Sequence, residues 1–304
     1  MDLYVSGFNA WRQLDFHPPS GDRATEEPDD VVTFRKVLSE RLIEVQYADL
    51  TSTIVNTSSG LRYAGSFGDG LESDIKQRLL SGTAAIAGNG LIAVYDGIDT
   101  VTQHPLLPSP GSEKVQTYSG MGDIVQLVAY ETGFAALART GKVWTWGDER
   151  YAAPLGREIT TTSPAVRPGL VNDLDDLPSG KVKKIDAAGY TVLALTDGND
   201  LYFWGGHPAR GPILGDISSS PAPVDMGDKD IVDCSVGEAH IIVLTSDGYV
   251  YVVGENTNGQ LGVPLEKTTS WHRVTLPLSP EHAIVGVKAG RRSSLIITQN
   301  TYHA

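Results

Sequence analysis

Residues that could bind or transform a ligand recur at one kind of position, in short segments of small residues between two apolar stretches. They are Tyr47 and Asp49, Ser81 and Thr83, Tyr130 and Glu131, Tyr190, Glu238 and His240, and Arg291 with Arg292. Tyrosine and arginine donate hydrogen bonds to carbonyl or carboxylate oxygens, and a histidine near a carboxylate can transfer a proton. If the fold gathers these segments, they could bind a polar or aromatic small molecule.

Each of these residues also has a structural interpretation. A buried His240 would be satisfied by neighbouring groups, and the tyrosines would be packing residues with one solvated end. Arg291 and Arg292 would pair with the acidic majority of the chain. A second set of loops is expected on the opposite side, where Trp11 and Arg12 are the binding candidates.

The sequence lacks the motifs of the common enzyme classes, so no residue is assigned a catalytic role. It contains no Gly-x-Ser-x-Gly, no Gly-x-x-x-x-Gly-Lys and no His-Glu-x-x-His. Its seven histidines are scattered rather than paired at ligand spacing, and we expect neither a metal nor a cofactor. The single cysteine, Cys234, excludes an internal disulfide.

The charge balance restricts the partners. The 304 residues carry 24 Lys and Arg against 37 Asp and Glu, a formal net charge of −13. Such a field repels phosphate backbones and anionic lipids, so we expect no direct nucleic-acid binding and no membrane association. The first residues have neither the basic nor the apolar region of a signal peptide, and we expect a cytoplasmic or nuclear monomer.

A repeated pattern predicts the elements that hold the candidate residues. Three segments share a short strand, a small-residue loop, an apolar strand, a Gly turn and a second strand that ends at Gly. They run from Ile124 to Gly156, Val182 to Gly215 and Ile231 to Gly262. Weaker copies run from Leu42 to Gly70 and from Ile75 to Gly97. Each copy predicts one antiparallel hairpin.

The sixth repeat is divided between the two ends of the sequence. Ile284 to Asn300 is a first half without a second, and Leu3 to Leu14 is a second half without a first. Pairing the two halves would close a ring and remove exposed sheet edges. The sequence therefore predicts an all-β fold, a single closed β-propeller of six blades in which the N-terminal strands complete the C-terminal blade. An irregular β-sandwich is the alternative.

We expect one domain over residues 1–304. The blades are placed at residues 284–304 plus 1–14, 42–70, 75–97, 124–156, 182–215 and 231–262. Residues 15–31 are expected to form an acidic loop. The proline-containing segments from Thr102 to Lys114 and from Ser218 to Lys229 are expected to connect blades.

The repeats resemble those of the regulator of chromosome condensation (RCC1) family. VWTWGDERYAAPLG, VYVVGENTNGQLG and YVSGFNAWRQL are similar to its half-repeat that ends in GQLG, and SVGEAHIIVL is similar to its half-repeat that contains a histidine. Only His240 keeps that histidine, and the second and third blades lack the GQLG ending. The resemblance implies that His240 bonds to neighbouring backbone. It also implies seven blades as the alternative to six.

Two functions fit this sequence. The first, which the resemblance implies, is a non-catalytic interaction scaffold that binds a partner protein through propeller loops. The second, which similarity to a few fungal propellers implies, is a cofactor-independent small-molecule cyclase. It would be a hetero-Diels-Alderase-like pericyclase of fungal natural-product biosynthesis that holds a small hydrophobic or aromatic molecule at the propeller mouth. A deep apolar pocket would favour the enzyme, and exposed aromatic residues would favour the scaffold.

Overall fold

A computed structural model of the chain describes residues 1–17, 27–107, 115–215 and 217–301. The first strands are β1 (Asp2–Gly7), β2 (Val31–Ser39), β3 (Ile43–Ala48), β4 (Ser52–Thr57), β5 (Gly60–Gly65), β6 (Ala84–Ile86), β7 (Leu91–Tyr95), β8 (Val101–Pro105), β9 (Gln116–Tyr118), β10 (Ile124–Tyr130), β11 (Gly133–Ala138) and β12 (Val143–Gly147). The following strands are β13 (Gly169–Leu170), β14 (Val182–Ala188), β15 (Thr191–Thr196), β16 (Leu201–Gly205), β17 (Ser218–Pro223), β18 (Ile231–Val236), β19 (His240–Thr245), β20 (Val250–Glu255), β21 (Lys267–Arg273), β22 (His282–Gly290) and β23 (Ser293–Asn300). The helices are α1 (Ser73–Leu80) and short 3-10 helices at Glu149–Tyr151, Ala153–Leu155 and Asn172–Leu174.

The chain divides into two compact units. The first unit consists of Met1–Leu71 and Met226–Ala304, and the second consists of Glu72–Asp225. Each unit contains three antiparallel sheets. Residues 18–26 of the expected acidic loop and residues 108–114 of an expected connection lie outside the described residues.

The first unit contains the sheet that the split repeat predicts. Its strand order is β22-β23-β1-β2, so the N-terminal strand pairs with the C-terminal one. The register runs from Asp2 opposite Thr298 to Gly7 opposite Ser293, and all six residues of β1 are buried. This confirms that the N-terminal strands complete the C-terminal blade. The other two sheets are β3-β4-β5 and β18-β19-β20-β21.

The second unit contains the sheets β6-β7-β8-β9, β10-β11-β12-β13 and β14-β15-β16-β17. The prediction of a strand that starts at Ile75 is wrong, because Ser73–Leu80 forms α1. Lys76, Gln77, Arg78 and two leucines are strong helix formers, and this local preference prevails over the repeat pattern. The hairpin predicted at Asn89-Gly90 is present between β6 and β7, where Gly90 has φ +82°.

Additional outer strands extend the blades beyond their expected limits. The segments expected to connect blades contain β8 and β17, and β17 is the outer strand of its sheet. Pro221 and Pro223 fit there because an edge strand has one side without ladder hydrogen bonds. The expectation that these segments are only connections is therefore wrong.

A β-bulge recurs in the first strand of the repeats and ties neighbouring blades together. Register shifts follow Ile124 in β10 and Ile231 in β18. In the second unit, the side chain of Gln126 after the bulge accepts a 2.8 Å bond from Ile185 N in the next blade. In the first unit, Asp233 accepts a 2.9 Å bond from Val287 N in the same way. Side chains thus satisfy backbone groups that no strand pairs.

The ending that resembles GQLG has a clear structural role. Asn256 Oδ1 accepts a 2.7 Å bond from Leu261 N, and Leu261 is fully buried. Gly262 follows at φ +64°, and a Cβ there would lie 2.3 Å from the Phe34 ring. A residue with no side chain is therefore required where one blade meets the next.

Each of the six sheets is one blade. The chain is all-β with a six-blade β-propeller arrangement, so six blades are confirmed and the alternatives of seven blades and of a sandwich are not. The hydrophobic cores lie between neighbouring blades, as with Ile242, Val252, Val287 and Ile296 in the first unit. One domain over the whole chain stays a prediction.

Candidate functional site

Two kinds of loop share one end of each blade. The turn between the first and second strands lies at the end where the third strand finishes, because successive strands are antiparallel. In the first unit, Phe8 N, directly after β1, donates a 2.9 Å bond to Arg292 O in the β22–β23 turn. In the second unit, the ring of Tyr190 in the β14–β15 turn lies 4.6 Å from that of His207, which follows β16. We call this the loop end of a blade.

The predicted placement of Trp11 and Arg12 on the opposite side is therefore wrong. Both follow β1 and lie at the same blade end as Arg291 and Arg292. The opposite end of a blade carries the hairpin turns between its second and third strands, such as Asp247-Gly248.

Charged residues of the first unit meet at the loop end. Glu238 N donates a 2.8 Å bond to Arg291 O. The Arg292 guanidinium lies 3.0 Å from the Glu238 carboxylate. The β18–β19 and β22–β23 turns of adjacent blades are thus joined by a backbone bond and an ion pair.

Tyr47 and Asp49 form a pair in the β3–β4 segment of the same unit. The Tyr47 hydroxyl donates a 3.1 Å bond to the Asp49 carboxylate, and the Tyr47 ring meets Phe67 edge to face. Burial raises the pKa of Tyr47 well above its usual value, Asp49 adds to the rise, and Arg291 opposes it. Tyr47 is therefore a neutral donor whose proton is already engaged.

Trp11 is the most exposed aromatic candidate. Its relative exposure is 55%. Arg12 follows with φ +56°, one of three residues other than glycine with positive φ in the described parts of the chain. The Arg12 guanidinium lies 3.7 Å from the Asp15 carboxylate.

His240 is a structural residue by its geometry. It is fully buried, and its Nε2 lies 3.2 Å from Ser293 O and 3.1 Å from Ser294 Oγ in the adjacent blade. Burial lowers the pKa of His240 to about 4, although the Ser293 carbonyl opposes this. The neutral ring joins two blades, as the family resemblance implies, and is not exposed to a ligand.

Tyr130 and Glu131 of the second unit have separate surroundings. Tyr130 is buried, and its hydroxyl donates a 3.1 Å bond to Trp146 O. Burial raises the pKa of Tyr130. Glu131 N donates a 2.6 Å bond to Gly189 O in the next blade. The carboxylate of Glu131 covers Gly88, where a Cβ would clash with it.

Ser81 and Thr83 belong to the end of α1. Their hydroxyl oxygens lie 2.9 Å apart, and both hydroxyls bond to Arg78 O. These hydroxyls satisfy a carbonyl at the end of the helix, which explains both residues without a bound ligand.

Three half-buried rings, Tyr151, Tyr190 and His207, form a ring cluster at the loop ends of two adjacent blades. The Tyr190 centroid lies 5.1 Å from Tyr151 and 4.6 Å from His207, and Tyr151 lies 5.8 Å from His207. Burial raises the pKa of Tyr190, and Tyr151 adds to the rise. Ala209 N donates a 3.0 Å bond to His207 Nδ1.

Sequence reasoning selected Tyr190 but not its two ring partners. Tyr151 and His207 each follow the glycine that ends a third strand, Gly147 and Gly205. An aromatic ring shortly after this glycine in two consecutive repeats was the available signal. The sequence prediction did not use this signal, because it assigned the loops of Tyr151 and His207 to the opposite side of the propeller from Tyr190.

The described residues place limits on other kinds of site. Within the described ranges, no helix is both long and apolar enough to span a membrane. In the same residues, no three His, Cys, Asp or Glu side chains are grouped so as to hold a metal ion.

Comparison with known proteins agrees with the repeat pattern. Models of the Regulator of chromosome condensation (RCC1) repeat match residues 231–260 and 247–297. The human Regulator of chromosome condensation is 30% identical over 144 residues, which cover 46% of this chain and 33% of that protein. Protein pim1 of Schizosaccharomyces pombe is 29% identical over 214 residues, 66% of this chain and 38% of that protein. The matched region spans about a third of the length of such curated relatives.

Solved structures support the same fold. Human WBSCR16 aligns with a TM-score of 0.64 at 16% identity, covering 99% of this chain and 100% of that one. Prp20p of Saccharomyces cerevisiae aligns with a TM-score of 0.57 at 14% identity, covering 98% and 91%. The blades, their loop ends and these structures define the class of protein as a β-propeller of RCC1-type repeats. The chain is similar to RCC1-like propellers, and its residues 231–297 match RCC1 repeats.

Proposed function

We propose that the chain is a non-catalytic interaction scaffold that binds a partner protein through loop ends of its blades. The ring cluster is the observation that carries this proposal. Tyrosine is enriched among the residues that contribute most to protein–protein affinity, since it combines apolar area with a hydrogen-bonding group. Two adjacent blades supply the cluster, so its rings are fixed by the scaffold before a partner arrives.

The relatives support the same class of function. The structure of yeast Prp20p is described together with that protein's binding to Gsp1p and histones, and another structure shows Kap60 bound to Prp20. We extend partner binding to this chain as a proposal. One curated relative from Arabidopsis thaliana is named as mitochondrial, and a cytoplasmic or nuclear location of this chain stays a prediction.

One groove in the described part of the chain does not gather the residues predicted for the cyclase. That groove of about 710 Å³ is lined by Met1, Ser39, Glu40, Arg41, Gln299 and Asn300. These residues lie at the opposite end of their blade from Arg291 and Arg292. None of the hydrogen-bond donors predicted for the cyclase lines this groove.

Site-specific photo-crosslinking tests the proposal. Tyr190→p-benzoylphenylalanine places a crosslinker in the ring cluster, and Asp197→p-benzoylphenylalanine places one at the opposite end of the same blade. We expect a discrete crosslinked protein from the Tyr190 position only. After purification, the crosslinked partner protein should bind the wild-type chain. The substitution Tyr190→Ala should weaken its binding about tenfold or more.

Tyr190→Phe is the matched control, because it keeps the ring and removes only the hydroxyl. Equal crosslinking from both ends of the blade would contradict the proposal. So would unchanged affinity of the purified partner for Tyr190→Ala, provided that the variant keeps the wild-type melting temperature.

A further inference from the structure

Arg12 occupies a backbone position that favours glycine. The segment from Asn9 to Leu14 repeats the hydrogen bonds of Asn256 to Leu261: each asparagine side chain accepts from the leucine N–H, at 3.0 Å and 2.7 Å. The glutamines match as well, since Gln13 accepts from Trp11 N and Gln260 accepts from Asn258 N. Gly259, with φ +78°, is therefore the counterpart of Arg12, with φ +56°.

A left-handed backbone at a residue other than glycine costs conformational energy, and such residues are concentrated at functional sites. Arg12 therefore has a side chain where the fold itself favours none. Gly259 could not be replaced in the same way, because a Cβ there would lie 2.4 Å from Val32 Cα.

The strained turn presents Trp11 to solvent. The counterpart of Trp11, Asn258, donates a 2.8 Å bond to Asp30 and is held against the surface. Trp11 is instead 55% exposed, while the Arg12 side chain is directed to Asp15, which also accepts a 2.6 Å bond from Arg35. Tryptophan is a residue type that dominates binding energy in many protein interfaces.

Two ion pairs at this end of the blade share one polarity. In the Arg35–Asp15 pair, the side-chain exposures are 52% for the arginine and 16% for the aspartate. In the Arg292–Glu238 pair they are 46% and 20%. Guanidinium groups therefore face solvent and carboxylates lie beneath them, although the chain as a whole carries a net charge of −13.

We infer that the loop end of this blade binds an acidic protein segment that places an apolar side chain against Trp11. Carboxylates of the segment pair with the outward guanidinium groups of Arg35 and Arg292, which match them in a bidentate fashion. A nucleic acid is the less favourable polyanion, because its long-range repulsion by the acidic chain grows with its length. This inference rests on the proposed function and names the chemistry of a partner.

Selection from a random dodecapeptide phage library on the intact chain tests the inference, with Trp11→Ala as the counter-selection target. Clones that require Trp11 should be enriched in Asp and Glu and should contain an apolar residue. For peptides synthesised from these clones, we expect Trp11→Ala to weaken binding about tenfold. Arg35→Gln and Arg292→Gln should each weaken binding and reduce its salt dependence.

Three results would overturn the inference: Trp11-dependent clones that are neutral or basic, no Trp11-dependent clones at all, or an oligothymidylate that binds as tightly with the same dependence on Trp11. Trp11→Phe and unchanged melting temperatures control for folding. Peptide binding at Trp11 and crosslinking at Tyr190 are separate measurements, so failure of this inference and failure of the ring cluster as a partner site are distinguishable.

Discussion

His240 shows how a residue of a reactive type can serve only the fold. Its ring lies fully buried against Ser293 and Ser294 of the next blade. Because its pKa is lowered to about 4 from 6.5, the unfolded chain binds a proton that the folded chain does not over that interval. The stability associated with His240 is complete above pH 6.5, declines as the pH falls through the interval and is lost below about 4.

We therefore predict that acid destabilises the wild-type chain through His240. Between pH 6.5 and 5 the residue should remove about 2 kcal/mol from the free energy of unfolding, at about 1.4 kcal/mol per pH unit. Urea denaturation at both pH values measures this. In His240→Gln the loss over the same interval should be smaller by that amount, whereas His272→Gln should behave like the wild type. Equal pH dependence in His240→Gln and the wild type would contradict the buried neutral ring.

Arg12 carries a second prediction at this scale. Arg12→Gly should leave the stability unchanged or raise it by up to about 1 kcal/mol, since glycine adopts φ +56° without the cost borne by arginine. The reverse change at the equivalent position, Gly259→Arg, should destabilise strongly because of the contact with Val32. Melting temperatures of the two variants test this. A large loss of stability in Arg12→Gly would show that the arginine supports the fold rather than a binding surface.

At the scale of elements, the Leu-Gly turn that ends several of the repeats has a packing role. Leu155 is fully buried, and Gly156 follows at φ +62° with Trp204 of the next blade directly above it. Gly156→Ala should lower the free energy of unfolding by about 3 kcal/mol, because it adds overpacking to backbone strain. Gly90→Ala is the matched control, at φ +82° with nothing within 4 Å, and should cost only about 1 kcal/mol. Equal effects in chemical denaturation would exclude the contact with Trp204 as the reason for the motif.

The hairpins of the blades could be predicted from the sequence. The outer strand β17 and the helix α1 could not. Alternating apolar residues around a Gly turn specify a hairpin locally, as at Thr140-Gly141. The strand β17 reads SSSPAP, which has the composition of a loop and becomes a strand only because β16 offers it a ladder. Helix α1 shows the reverse case, in which local propensity replaces the strand that the repeat predicts.

At the scale of the whole molecule, the pairing of the chain ends followed from the sequence because two incomplete repeats complement each other. The ring cluster could not be predicted in this way. It requires two loops of neighbouring blades to lie at the same end, and the end at which each loop lies depends on how many strands precede it in its blade. Tyr151 and Tyr190 are adjacent only in the folded second unit.

The expected single domain makes a prediction about unfolding. The first unit combines Met1–Leu71 with Met226–Ala304, so it forms only when the two ends of the chain meet. We expect one cooperative thermal transition, with coincident curves from tryptophan fluorescence and far-ultraviolet circular dichroism. Two separated transitions would show that Glu72–Asp225 unfolds independently.

Hydrogen–deuterium exchange on the chain with and without the protein crosslinked at Tyr190 tests the scaffold function most directly. The binding account predicts that the partner protects the segments around Tyr151, Tyr190 and His207. It also predicts unchanged exchange at the hairpin turns Thr140-Gly141 and Asp197-Gly198, which lie at the opposite end of their blades. Protection at those turns, or none around the ring cluster, would contradict a partner site at the loop ends.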